Sequence, residues 1–248
     1  MIVTKSAAEL EIMREAGRVT AAALRAVGDA VKPGVTTGEL DALAEDLIRS
    51  AGAVPAFKGY HGFPGSLCTS VNSQVVHGIP GKRRLKSGEI LSVDCGAIVD
   101  GYYGDAAMTF PVGEVADEGL RLLRVTRESL EAGSTCCVPG KRLYDISAAI
   151  QSVVESAGYS VVREYVGHGI GRSMHEDPQV PNYGRTGTGH VLQPGMVLAI
   201  EPMVNAGGAD VRSLDDGWTV VTVDGSLSAH FEHTVAVTEQ GPLVLTAD

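Results

Sequence analysis

From Arg18 onward this chain matches itself 106 positions later without a gap for the length of a helical hairpin, so it must build two equivalent units. Arg18-Val19-Thr20 recurs as Arg124-Val125-Thr126, Pro33-Gly34 as Pro139-Gly140, and Leu47-Ile48-Arg49-Ser50-Ala51-Gly52 as Val153-Val154-Glu155-Ser156-Ala157-Gly158. Each copy reads as two helices. In the first, Leu10, Met13, Val19, Ala23, Leu24 and Val27 keep roughly helical spacing, Pro33-Gly34 breaks the run, and Leu40, Leu43, Leu47 and Ile48 resume it up to Gly52. The two copies cover about residues 6–110 and 114–237. At 248 residues the chain is within reach of one core, and a single domain over residues 1–248 is expected.

A second match, at an offset of 107, sets Leu85 to Asp94 beside Leu192 to Glu201, two apolar strands that each end on a carboxylate. Gly104-Asp105-Ala106 and Phe231-Glu232-His233 fall on the following strand of each copy, with about 20 extra residues inserted in the second. Each half thus supplies two acids. A duplicated scaffold without chemistry accounts for the helices but not for these acids, because a carboxylate on a buried apolar strand is costly unless a positive charge sits beside it. For the first pair the geometry is predictable. Asp100-Gly101 is a strongly preferred two-residue hairpin turn; with it as the loop, Val99 faces Tyr102, Asp94 lies opposite Ala107, and Asp105 is a diagonal neighbour on the same face. Such neighbours are ~7–8 Å apart at the backbone, a span two carboxylates can close around a cation. No Lys or Arg lies between Leu91 and Phe110, so a metal is the economical counter-charge.

The charge balance narrows the partners. With 20 basic and 30 acidic side chains, the net charge of -10 repels phosphate backbones and anionic membranes, so neither nucleic acid nor a membrane is expected. The cluster Lys82-Arg83-Arg84 with Lys86 reads as a solvated loop that could touch a charged surface. The N-terminus has no leader pattern, no stretch approaches ~18 uninterrupted apolar residues, and Cys68, Cys95, Cys136 and Cys137 show no disulfide framework. A cytoplasmic protein is expected.

Three of the seven histidines sit in loop-like settings: His77 in Val76-His77-Gly78-Ile79-Pro80, His168 in Gly167-His168-Gly169-Ile170-Gly171, and His175 in Met174-His175-Glu176-Asp177-Pro178. Together with Tyr60-His61-Gly62-Phe63-Pro64, Ile200-Glu201-Pro202-Met203, Asp216-Gly217-Trp218 and Phe231-Glu232-His233-Thr234, these segments resemble the type I methionine aminopeptidases, the short bacterial form within peptidase family M24. The resemblance runs in consistent order from the first helix to Val237. It implies the pita-bread α/β (α+β) fold, two pseudo-twofold half-domains with an antiparallel sheet covered by helices, as the repeat independently suggests. It further implies two divalent metals (Co, Mn, Fe or Zn) held by Asp94, Asp105, His168, Glu201 and Glu232, with Asp105 and Glu232 bridging.

The implied reaction is removal of the initiator methionine from nascent proteins, a hydroxide activated by the two metals attacking the scissile carbonyl. Glu201 is the candidate general base and acid; by resemblance His175 stabilises the tetrahedral intermediate and His77 hydrogen-bonds the substrate near the scissile amide. Phe57, Tyr60, Phe63, Cys68, His77, Met174 and Trp218 would line the methionine slot, with His175 beside them. Some bacterial members carry Cys at the Phe57 position, Tyr at Phe63 and Phe at Met174, departures that bear on the shape of the slot. A monomer acting on methionyl peptides, with transient ribosome contact, is the implied partner set. Xaa-Pro aminopeptidases and proline dipeptidases share the five ligands but usually carry a large N-terminal domain, for which a first helix near Ser6 leaves no room. A non-catalytic binding protein on this fold would be marked by lost ligands, and all five are present.

Overall fold

Both helical hairpins of the repeat are present in three dimensions. The structure, a computed structural model, describes residues 2–247; Met1 and Asp248, the ends of the expected domain, lie outside them. The first half comprises α1 (Ala7–Ala30), α2 (Thr37–Ser50), β1 (Val54–Pro55), β2 (Leu67–Val71), β3 (Gln74–Val76), β4 (Ile90–Val99) and β5 (Tyr102–Pro111). The second comprises α3 (Asp117–Ser134), α4 (Leu143–Ser156), β6 (Ser160–Val161), β7 (Gly167–Gly169), β8 (Glu176–Val180), β9 (Val197–Ile200), β10 (Met203–Asn205), β11 (Val211–Ser213), β12 (Val220–Thr222), β13 (Ser228–His230), β14 (Glu232–Thr238) and β15 (Gly241–Val244). The bounds of α2 and β1 recur 106 positions later as those of α4 and β6. Helix starts repeat too: the backbone N–H of Thr36 donates to Glu39 at 2.7 Å, and that of Arg142 donates to Asp145 at 2.8 Å.

One nine-stranded antiparallel sheet runs β1-β4-β5-β14-β9-β7-β8, with β2 on β4 and β15 on β14. The halves join where β5 meets β14, Glu232 opposite Ala107. Strand alternation then sorts the side chains. Leu91, Val93, Cys95 and Ala97 of β4 point to α1 and α2, where Leu24, Val27, Leu40 and Ile48 complete one core. Leu198, Ile200, Val235 and Val237 point the other half of the same face at α3 and α4, where Leu122, Leu130, Ile146 and Ile150 complete the second. The opposite face is left for the acids. All four cysteines are free and buried.

The β4–β5 register is the predicted one, Val99 opposite Tyr102 and Asp94 opposite Ala107. Two expectations need correction. Asp94 does not end its strand but stands at the middle of β4, because the Asp100-Gly101 turn carries the ladder well past it. Glu201 does follow the end of β9, where Pro202, which has no N–H to donate, stops the ladder. Nor is β14 the next strand after Glu201 in sequence. The insertion forms β10 to β13 first, in two three-stranded sheets that recruit β6 and β3, and the chain then returns to lie beside β9.

Helix α1 sits on β5 through two glycines. A Cβ on Gly104 would lie 2.6 Å from the Gly17 backbone nitrogen, and Thr20 Oγ1 donates to the Gly104 carbonyl at 3.1 Å. Gly104→Val should therefore force α1 off the sheet and destabilise the fold by about 3 kcal/mol, at the upper end of overpacking costs. Urea unfolding with an unchanged midpoint would refute this close approach.

Candidate metal centre

Five acidic and imidazole side chains occupy two adjacent rungs of the sheet's inner face. On one rung the register runs Cys68 to Asp94 to Ala107 to Glu232, and Glu201 is the next residue in the β9–β14 register. On the neighbouring rung Gly96 pairs with Asp105, and Thr234 pairs with Ala199, which pairs with His168. Every position between two of these five residues is Gly, Ala or Thr, so nothing bulky keeps the carboxylates apart. Thr234 also locks the junction of the two halves: its hydroxyl accepts from the Asp105 N–H at 3.0 Å and donates to the Asp105 carbonyl at 2.8 Å. Thr234→Val removes both bonds at nearly constant volume. It should cost about 1–3 kcal/mol for the buried backbone groups left unpaired, measured as a lowered midpoint in chemical unfolding.

The electrostatics suit a bound cation. Burial pushes Asp94, Glu201 and Glu232 well above the carboxylate range, and the neighbouring acids, Asp105 foremost, push them further. Asp105 is raised as well, by burial. Among the described residues no Lys or Arg lines the cavity they share. The Nδ1 of His168 is 2.9 Å from the Gly169 carbonyl, to which it donates, so neutral His168 presents a bare Nε2 toward Glu201 Oε1 at 3.5 Å and Asp105 Oδ2 at 3.9 Å. Lone pair facing lone pairs is repulsive unless a positive ion lies between. Buried Asp94 Oδ1, Asp105 Oδ1 and Glu232 Oε1 have no hydrogen-bond partner, and Asp105, His168 and Glu232 offer ligand atoms within 4.8 Å of one another. Orphaned oxygens, an oriented imidazole and mutual repulsion all fit divalent metal.

Above this floor lies a cavity of about 360 Å³. The structure brings every sequence-predicted site residue to its wall: Asp94, Asp105, His168, Glu201 and Glu232 at the polar end, Phe57, Tyr60, Phe63, Cys68, Met174 and Trp218 at the apolar end, and His77 and His175 with them. The insertion supplies part of this wall. Strand β12 pairs with β3, Val220 opposite Val76, which sets Trp218 beside His77 with ring centroids 6.4 Å apart and edge-on to Phe63 at 5.1 Å. Asp216 accepts from the backbone N–H groups of Trp218 at 2.9 Å and Thr219 at 2.8 Å, which holds that polar turn in shape. His175 stacks obliquely on His168 at 4.3 Å, and its Nδ1 is 2.8 Å from the Tyr60 hydroxyl.

Two residues escaped the sequence reading. His61 lines the cavity beside Tyr60, within a motif that was recognised, but nothing in its spacing singled it out. His230 is buried two positions before Glu232, and the period of a strand would have put both on one face. Burial pushes His230 down to about 3 and His77 and His168 to about 4, so all three rings are neutral.

The model of "Metallopeptidase family M24" matches residues 11–239. A methionine aminopeptidase of Clostridium acetobutylicum is 57% identical over 99% of this chain and 99% of its own length. Methionine aminopeptidase 1 of Bacillus subtilis is also 57% identical, again over 99% of each. Among solved structures, the methionine aminopeptidase of Thermotoga maritima is 51% identical and covers 100% of both chains with a TM-score of 0.98. A family match over nearly the whole chain, and relatives this close on the pita-bread fold, leave one assignment: the chain belongs to metallopeptidase family M24.

Proposed function

We propose that this chain is one catalytic domain, residues 1–248, which removes the N-terminal methionine from newly made proteins. The observation that carries the reading is the meeting of Asp94 and Asp105 from one half with His168, Glu201 and Glu232 from the other, at the foot of an apolar slot. These five residues would hold the metal. Two divalent cations (Co, Mn, Fe or Zn) bound there would supply the Lewis acidity that activates water and polarises the scissile carbonyl.

The rest falls to the protein's own groups. Glu201 takes the proton of the attacking water and delivers it to the leaving amine. His175, in the tautomer that accepts at Nδ1 from the Tyr60 hydroxyl 2.8 Å away, carries its proton on Nε2, free to stabilise negative charge developing on the carbonyl oxygen. His77, held at a φ of 60° directly after strand β3, hydrogen-bonds the substrate near the scissile amide. Phe57, Tyr60, Phe63, Cys68, Met174 and Trp218 take the thioether side chain, a soft group suited to aromatic walls.

Among the described residues no helix is long and apolar enough to cross a membrane. The reading assigns the chain to the cytoplasm as a monomer acting on methionyl peptides. Transient ribosome contact would fall to the basic loop, where Arg83 is paired with Glu89 at 2.9 Å and Arg84 donates to the Gly34 carbonyl at 2.7 Å. The test is a pair of peptides given to metal-loaded protein. Methionine should be released from Met-Ala-Ser while Ala-Pro stays intact; cleavage of Ala-Pro alone would assign the chain to a proline-directed enzyme instead.

A further inference from the structure

One buried side chain beside the carboxylates has no part in this mechanism. His230 ends β13, 1% exposed, and its backbone is pinned to β5 by Thr109, whose hydroxyl accepts from the His230 N–H at 2.9 Å and donates to its carbonyl at 2.8 Å. The ring cannot drift far. Its Nε2 has no hydrogen-bond partner and lies 3.6 Å from Glu201 Oε2 and 3.8 Å from Glu232 Oε2, beyond hydrogen-bonding range of both. The Glu201 carboxylate is thus flanked by imidazoles on both sides, His168 on Oε1 and His230 on Oε2.

As a packing residue His230 is a poor choice. A buried ring nitrogen without a partner costs about 1–3 kcal/mol, which an apolar side chain of similar size would avoid. As a ligand it is well placed. Bonds of about 2.0–2.2 Å put neighbouring ligand atoms roughly 3–3.5 Å apart around a cation, and small side-chain rotations bring 3.6 and 3.8 Å into that range. Glu201, His230 and Glu232 also form a group with ligand atoms within 4.8 Å of one another, sharing Glu232 with the group of Asp105 and His168.

We propose that His230 is a sixth metal-ligating residue, its Nε2 binding the cation on the Glu201 and Glu232 side of the centre. This rests on the metal-dependent reading above and adds a prediction of metal preference. A second imidazole makes that side nitrogen-rich and shifts its preference from Mn toward Zn and Co. His230→Gln, which keeps a polar side chain of similar reach, should weaken Zn(II) and Co(II) at least about tenfold in calorimetric titration and Mn(II) much less.

Proton NMR of the Co(II)-loaded wild-type protein gives a second readout. Each ligated imidazole contributes one exchangeable, strongly shifted ring N–H signal. Two are expected, one lost in His230→Gln and the other in His168→Gln. A single signal, or undiminished Zn(II) affinity in His230→Gln, overturns the proposal while leaving the five-residue centre standing. Wild-type protein that binds none of the three metals overturns both. Should His230→Gln fail to fold, the signal count in the wild-type protein decides alone.

Discussion

Asp105→Asn should lower turnover of a methionyl peptide by at least about 10³-fold, the scale on which enzymes lose rate when a central electrostatic element is removed. Asp105 is 5% exposed, its Oδ1 has no partner, and it is a leading source of the repulsion that raises Asp94, Glu201 and Glu232. The amide keeps the shape and removes the charge. In metal-free protein the same change should therefore leave the melting temperature unchanged or raise it, because one of four mutually repelling carboxylates is gone. This opposition separates a site kept for chemistry from one kept for structure. Near-normal turnover in Asp105→Asn would remove Asp105 from the centre, and a large loss of metal-free stability would make it a structural residue.

Withdrawing metal should be the second large effect. Asp105 and Glu232, buried, and Asp94 and Glu201, half-buried, have no Lys or Arg on their cavity wall among the described residues; they destabilise the folded chain unless cations bind there, and anything that binds only the folded state stabilises it by mass action. At roughly 1,000 times its Kd one ion contributes about 4 kcal/mol, which for a chain of this size raises Tm by about 10 °C. Calorimetric scans in chelator and in excess Mn(II) or Co(II) should differ by at least that much, and activity should return on adding metal back. Superimposable scans would mean that the acids do not share a cation.

The acids were legible early because their surroundings are incongruous. Asp94 and Glu201 stand in runs of apolar residues that strand alternation alone would bury, and Asp105 sits in a hairpin whose register follows from Asp100-Gly101. The helices were legible because their apolar spacing and their breaks recur 106 positions apart. His230 was not, because its setting depends on Thr109 of the other half holding it and on two carboxylates from separate segments facing it. The position of Trp218 beside His77 was carried by family likeness alone, since it follows from β12 pairing with β3 across 144 residues, a contact no local pattern encodes.

The sequence by itself determined the local events, namely where helices begin and break, which strand positions share a face, and that each half brings two acids. Those depend on backbone sterics and near-neighbour spacing. Only the tertiary structure decided that β5 and β14 meet, that Ala107, Ala199 and Thr234 lie between the acids and His168, and that the inserted sheets close the slot. The physical reason is range. A strand's alternation says which way a side chain points, whereas what it points at is settled by long-range packing of two cores on the opposite face of one sheet.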